Sequence, residues 1–228
     1  MIRPPAPTIR SGSGRSGSGQ PGSGRQWDWG AAFSDASEGD LRQDLEARGR
    51  FAARLGIPSE WAIVAQVHGA RVLEVDQPGE AGEGDAMFTT SVGVPLAVFT
   101  ADCAGVVLGA EGAVGVAHAG WRGAAAGVVG ALADRMRGAG YEPRIAAIGP
   151  TIGSCCLEVG PEVSAELGGF TSETSWGTPS VDLIRSISSQ LPGVEIWRAD
   201  VCTRHQAGWY SHRSDRTLKR MAALGWLM

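Results

Sequence analysis

The sequence predicts an α/β fold of the α+β kind, with layered, mixed β-sheets flanked by helices. Three observations carry that expectation. Five short apolar runs of β character fall between residues 62 and 119. Segments with apolar residues at helical spacing lie before and after them. Turn signals separate the runs, and no internal repeat on the order of 20 to 50 residues is visible. Hairpins mixed with crossover helices call for more than one sheet layer.

Residues 1–39 contain the Gly/Ser-rich stretch "RSGSGRSGSGQPGSGR", whose composition is that of a flexible linker with little to bury. They are set apart as an N-terminal segment, and residues 40–228 as a single domain. In "DLRQDLEARGRFAARLGIP", Leu41, Leu45, Phe51 and Leu55 recur at helical spacing, Asp40 is placed to cap the start, and Gly56 with Pro58 stops the helix. Strands follow at 62–67, 70–75, 94–100, 105–110 and 113–119. "QVHGARV" reads as a tight turn between the first two of these, and "EGA" as a hairpin connection between the last two. Residues 123–139, rich in small side chains with Leu and Met at helical spacing, read as one helix packed closely on a sheet. Then "RIAAIGPTIG" gives a strand and a sharp loop, "EVSAEL" a short helix, "VDLIRSISSQL" an amphipathic helix, and "VEIWRADV" a strand. "LKRMAALGWLM" closes the chain as an apolar strand or helix.

A chain of 228 residues can bury well over half of its unfolded surface in one core. Hydrophobic residues at 43% and charged residues at 19% are ordinary for a soluble globular protein. No window reaches about eighteen consecutive apolar residues and the N-terminus lacks the apolar segment of a secretory signal, so a cytoplasmic protein without a membrane partner is expected. The net charge is −4 and the twenty basic residues are spread along the chain, which gives no footprint for nucleic acid. Four cysteines are too few and too unevenly placed for a disulfide framework, so their chemistry is that of thiolates. A monomer or small homo-oligomer is expected.

His68, Cys103 and His118 each stand at the end of an apolar run. Singly, each reads as a hydrogen-bonded histidine or a small buried thiol of the core. Together they read differently, because neighbouring strand ends lie about 5 Å apart and allow three side chains to converge. Two imidazoles and a thiolate would hold a tetrahedral zinc with one position open, as in catalytic sites. Arg122, in the glycine-bounded "GWRG", offers a planar donor fork to phosphate, against the alternative of a solvated loop arginine. Asp102 alternates to the other side of its strand and reads as a catalytic-site residue that holds a ligand imidazole in place. Of His205 and His212, which flank "QAGWY", His212 is the better placed to approach a ligand, a surface role being its alternative.

"QVHGARV", "TADCAGVVL", "VAHAGWRGAAAGVV" and "IGPTIGSCCLEVG" resemble, in order, the signature segments of the YfiH family. Its members are variously called laccase-domain proteins, polyphenol oxidases, purine nucleoside phosphorylases or peptidoglycan editing factors. The resemblance runs from about residue 40 to the C-terminus, where "VCTRHQAGWYSHRSDRTLKRMAALGWL" is similar to the family's closing segment. It implies a zinc site at His68, Cys103 and His118 and a single catalytic domain. It also implies phosphorolysis of adenosine, inosine and 5′-methylthioadenosine, with adenosine deamination beside it, and so a purine nucleoside and phosphate as partners. Asp85 matches the family's GDA segment and is expected either to cap a turn or to reach the site. Two adjacent cysteines rarely share one metal, so at most one of Cys155 and Cys156 is expected to point inward. The family places a Cys and a Glu at Cys156 and Glu158, which makes these the substrate-binding candidates there.

The resemblance is not uniform. The family usually follows TADC with a bulky apolar residue and a proline, where this chain has Ala104 and Gly105. Leu157 stands in place of an aromatic, and the N-terminal loop survives at most as a degenerate copy in which Arg10 or Arg15 would face phosphate. Two alternative activities are carried forward. Cys103 with His68 or His118 is also the nucleophile and base pair of a cysteine hydrolase or amidase, which would suit editing of peptidoglycan precursors. Copper-dependent phenol oxidation is less favoured, because four histidines are too few for several copper centres.

Overall fold

A computed structural model describes residues 1–2 and 29–228. The "RSGSG" stretch, Arg10 and Arg15 lie outside the described residues. In chain order the elements are β1 (Trp29–Phe33), α1 (Leu45–Leu55), β2 (Ala62–Ala65), β3 (Val72–Glu74), β4 (Gly79–Glu83), β5 (Ala86–Thr89), β6 (Leu96–Thr100), β7 (Ala104–Ala110) and β8 (Ala113–Ala119). They continue with α2 (Trp121–Ala125), α3 (Val128–Gly138), β9 (Ile145–Ile148), α4 (Pro161–Glu166), β10 (Thr171–Glu173), β11 (Pro179–Val181), α5 (Leu183–Ser189), β12 (Glu195–Arg198), α6 (His212–Asp215) and β13 (Met221–Leu227).

The strands form a five-stranded sheet of order β1-β13-β6-β2-β4, a six-stranded sheet of order β12-β9-β7-β8-β5-β3, and the small hairpin β10-β11. Both large sheets mix parallel and antiparallel pairs. Side-chain alternation stacks them into helix, sheet, sheet, helix. In β6, Leu96 and Val98 point into the core between the sheets, while Ala97 and Phe99 pack beneath α1 with Phe51 and Trp61. In β8, Val114 and Val116 enter the same inter-sheet core, while Ala113, Ala117 and Ala119 face α3 and α5 with Val128, Leu132 and Ile187. Strands covered on both faces need no polar alternation, which is why they read as continuous apolar runs. The sheets approach closely at Gly105, where a Cβ would lie 2.3 Å from Ala223 Cβ. That contact gives a physical reason for glycine at this position.

Several local expectations are corrected. Helix α1 is capped by Asp44 rather than Asp40, the Asp44 carboxylate accepting from the Ala47 N–H at 2.9 Å. Asp40 instead accepts from the N–H groups of Arg42 and Arg220 at 3.1 and 3.2 Å. With the helix start moved, Leu45 lies 70% exposed and is not part of the buried stripe. Gly56 ends α1 in the left-handed region at φ 71°, as the sequence predicts. Residues 123–139 do not form one helix. Gly127, at φ 76°, separates α2 from α3, and the Gln190 side chain bridges the break. Its Oε1 accepts from Val129 and Gly130 N–H, and its Nε2 donates to the Ala124 carbonyl at 2.9 Å.

"QVHGARV" is not a hairpin turn, because β2 and β3 belong to different sheets. The segment crosses from one sheet to the other, guided by the Gln66 side chain. Its amide exchanges two hydrogen bonds of 2.9 Å with the backbone of Phe99, in the manner of a strand partner. "EGA" does connect the antiparallel pair β7-β8. The C-terminal run is a strand, β13, paired on both sides by β1 and β6. Among the described residues no helix is long and apolar enough to cross a membrane.

Candidate metal centre

Two chain crossings and a strand end meet: the β2–β3 crossing at residues 66–71, the β6–β7 crossing at 101–103, and the end of β8 leading into α2. They carry His68, Cys103 and His118, whose ligand atoms lie within 4.8 Å of one another. The two imidazole rings meet edge to face with centroids 4.8 Å apart. Gly120 closes the back of the cluster, since a Cβ there would lie 2.8 Å from Cys103 Sγ and 3.2 Å from His68 Cδ2.

Asp85 organises the cluster. It is fully buried and precedes β5, where the strand pairing sets it beside His118, whose N–H donates to the Asp85 carbonyl at 2.7 Å. Asp85 Oδ1 is 2.8 Å from His118 Nδ1 and accepts from the His68 N–H at 2.9 Å. Oδ2 accepts from the N–H groups of Gly69 and Val67 at 2.7 and 3.1 Å. One carboxylate thus gathers three successive amides and bends the chain so that His68 takes φ 62°, unusual for a residue with a side chain. With Nδ1 engaged, His118 Nε2 is the nitrogen left for a cation.

The charges follow from this geometry. Burial pushes the Cys103 thiol up, but hydrogen bonds and charge from His118 and His68 outweigh it and bring it down to about 6. Burial pushes His118 down, and the Asp85 and Cys103 partners overcome it and hold it up at about 9. Asp85 is itself lowered, since its hydrogen bonds to His118 and to the Gly69 and His68 amides outweigh its burial. A cation that takes the place of the His118 proton meets an ionised thiolate and two imidazoles. The donor set and the carboxylate behind His118 fit a divalent ion of borderline softness, with three protein ligands and a side left for substrate.

A cavity of about 190 Å3 opens beside the cluster, lined by His68, Cys103 and Arg122 on one side and by Ile152, Leu157 and Leu183 on another. The Arg122 guanidinium lies over the Trp121 ring at 4.2 Å, which holds its planar donor face in a fixed orientation. His212 also lines the cavity; its Nδ1 is 3.3 Å from the Thr217 carbonyl oxygen, so Nε2 is the ring nitrogen free to meet a substrate.

The remaining candidates sit elsewhere than expected. Asp102 lines the cavity but does not hold an imidazole; that task falls to Asp85. The Asp102 carboxylate accepts from Thr203 Oγ1 at 2.7 Å and Arg213 N–H at 2.6 Å, and its carbonyl accepts from Thr151 Oγ1 and Ile152 N–H. These four bonds hold a residue at φ 90°, a sparsely populated conformation for a residue with a side chain. Asp85 is buried against His118 and does not line the cavity. Glu158 is exposed, takes a hydrogen bond from Trp176 Nε1 and does not line the cavity. Cys156 does not line it either. It joins Cys155, Cys202 and His205 in a second cluster, and both adjacent thiols point into it. The sequence signal for that cluster was the spacing Cys202-x-x-His205 in "CTRH".

Fold and cavity define a four-layered α/β protein with a His₂Cys cluster able to hold a cation, beside an arginine and apolar side chains. Residues 24–228 match the family described as multi-copper polyphenol oxidoreductase laccase, and the chain belongs to that family, the laccase-like YfiH family. It is 40% identical over 196 residues to the purine nucleoside phosphorylase ORF3 of Streptomyces griseus, covering 79% of this chain and 80% of that one. The solved structure of YlmD from Geobacillus stearothermophilus matches with a TM-score of 0.76 at 30% identity, over 87% of this chain and 91% of that one. The Bacillus licheniformis hypothetical protein YfiH shares the fold at a TM-score of 0.79 and 24% identity, over 88% and 93% of the two chains.

Proposed function

We propose that this protein is a zinc-dependent purine nucleoside phosphorylase acting on adenosine, inosine and 5′-methylthioadenosine, with adenosine deamination as a side activity. One observation carries the reading: His68 and Cys103 of the His68–Cys103–His118 cluster line a single cavity together with Arg122 and the apolar side chains of Ile152, Leu157 and Leu183. Relatives named purine nucleoside phosphorylase support it.

In phosphorolysis a phosphate oxygen bonds to the anomeric carbon while the glycosidic bond to the purine breaks. Its electron pair stays on the base, which takes up a proton. Zinc held by His68, Cys103 and His118 would supply Lewis-acid polarisation of a phosphate or water oxygen. The protein's own groups do the rest. Arg122 presents two parallel N–H donors to the phosphate, and its stacking on Trp121 pre-orients them. Ile152, Leu157 and Leu183 offer an apolar face to the purine and exclude water from it. His212, which lines the cavity with Nδ1 engaged by Thr217, would be the group that hands a proton to the departing base. Deamination would use the same wall: a water oxygen bonds to purine C6, the C6–N6 bond breaks, and the amino group takes up a proton and leaves as ammonia.

A second reading rests on a different observation, the Cys103 thiol set within 4.8 Å of the His68 and His118 imidazoles, which draw it down to about 6. Without a cation the thiol and an imidazole would serve as the nucleophile and base of a cysteine hydrolase acting on an amide of a peptidoglycan precursor. Copper-dependent phenol oxidation draws on the family's description alone, and the four histidines of the chain limit it.

The two main readings are separated by incubating the purified protein with adenosine, with and without phosphate, and following adenine and ribose 1-phosphate. Phosphate-dependent release of both supports phosphorolysis. No nucleoside turnover, together with rapid alkylation of Cys103 in the protein as purified, supports the hydrolase.

A further inference from the structure

Cys155, Cys156, Cys202 and His205 stand apart from the three ligands already described, on the loop after β9 and the turn after β12. Their ligand atoms lie within 4.8 Å of one another. Cys155 Sγ is 3.7 Å from Cys156 Sγ, and His205 Nδ1 is 3.5 Å from the first and 3.4 Å from the second. With Zn–S about 2.3 Å and Zn–N about 2.0–2.1 Å, a tetrahedron has S–S edges of about 3.8 Å and S–N edges of about 3.5 Å. The three distances match those edges. All the cysteines are free thiols, and the 3.7 Å separation is well beyond a disulfide bond.

The backbone is shaped for the same purpose. Thr151 and Cys202 form a parallel bridge that brings the two segments side by side. The Gly153 N–H donates to Cys202 Sγ at 3.3 Å, the kind of bond that stabilises a thiolate. Three thiols and an imidazole with this donor support form a closed set, whereas the cavity site has three ligands and an open side.

We propose that Cys155, Cys156, Cys202 and His205 bind a second, structural, thiophilic divalent cation of the zinc class. The ion ties the loop after β9 to the turn after β12. That loop carries Ile152 and Leu157 of the cavity wall, and the turn carries Thr203, which fixes Asp102. The second ion therefore shapes the cavity without touching what binds in it.

Metal content and thiol protection test this independently of any activity. Wild-type protein is expected to hold two equivalents of zinc, Cys103→Ser one, and Cys202→Ser or His205→Gln one. Cys103→Ser protein loaded with Co2+ is expected to show thiolate-to-metal charge transfer and the visible bands of a tetrahedral ion. Should Cys202→Ser fail to fold, the Cys103→Ser protein alone decides. Cys155, Cys156 and Cys202 should resist alkylation until a chelator is added, and the melting temperature should fall with it. A folded Cys103→Ser protein without metal, thiols equally reactive with and without chelator, or a disulfide among the three would overturn the proposal.

Discussion

Asp85 Oδ1 lies 2.8 Å from His118 Nδ1, and the same carboxylate accepts the N–H groups of Val67, His68 and Gly69. One buried side chain therefore sets the tautomer of one ligand and the backbone that presents another. Asp85→Asn keeps the size but loses the charge and one acceptor. Metal affinity at the cavity site is expected to fall about 10- to 100-fold, the usual effect of losing such a partner. Competition against a chromophoric chelator measures it, and an unchanged affinity would count against the role given to Asp85.

Cys103 carries the pH dependence of the metal-free protein. Its thiol is lowered to about 6, so alkylation by iodoacetamide should rise as the pH climbs through about 6 and level off well before pH 8. An unpaired thiol would keep gaining reactivity through about 8.5. His118 remains protonated up to about 9, so it supplies the counter-charge across that whole window. In His118→Ala the midpoint should move upward. A wild-type midpoint near that of a free thiol would show that the pair is not formed.

Arg122→Lys replaces a planar fork by a point charge. Losing one charge-assisted hydrogen bond, worth about 1.5–3 kcal/mol, should raise the KM for phosphate roughly tenfold or more and leave that for adenosine nearly unchanged. Steady-state kinetics with each substrate varied in turn separates the two. Equal changes in both would mean that Arg122 does not hold phosphate.

Gly120 has φ −76°, which alanine tolerates, so Gly120→Ala acts through space alone. The added methyl would press on Cys103 Sγ and His68 Cδ2. The expected result is lower metal occupancy at the cavity site with a melting temperature close to wild type. Full occupancy would mean that the ligands have room to shift.

The layered α/β class was legible because β6, β7 and β8 are covered on both faces and therefore read as unbroken apolar runs. Strands that lie at the surface were not. All of β4 and β10 is exposed and neither carries an apolar pattern, so no periodicity announced them. Sheet membership was hidden too: the "QVHG" segment looks local, yet Gln66 pairs with Phe99 thirty-three residues away. At the site, His68, Cys103 and His118 were legible as polar residues on apolar runs. Asp85 was seen only as a turn or site residue, because its partners come from another strand, β8, and from the β2–β3 crossing. That both Cys155 and Cys156 point into one cluster was not legible, because the groups beside them, Cys202 and His205, are supplied by a distant turn.

The most direct test of the account is adenine release from adenosine by the purified protein, followed with and without phosphate, for wild type and for Cys103→Ala. The account predicts phosphate-dependent formation of adenine and ribose 1-phosphate by the wild type, and loss of both, with loss of one metal equivalent, in Cys103→Ala. Adenine release that ignores phosphate, or full activity in the variant, would contradict it.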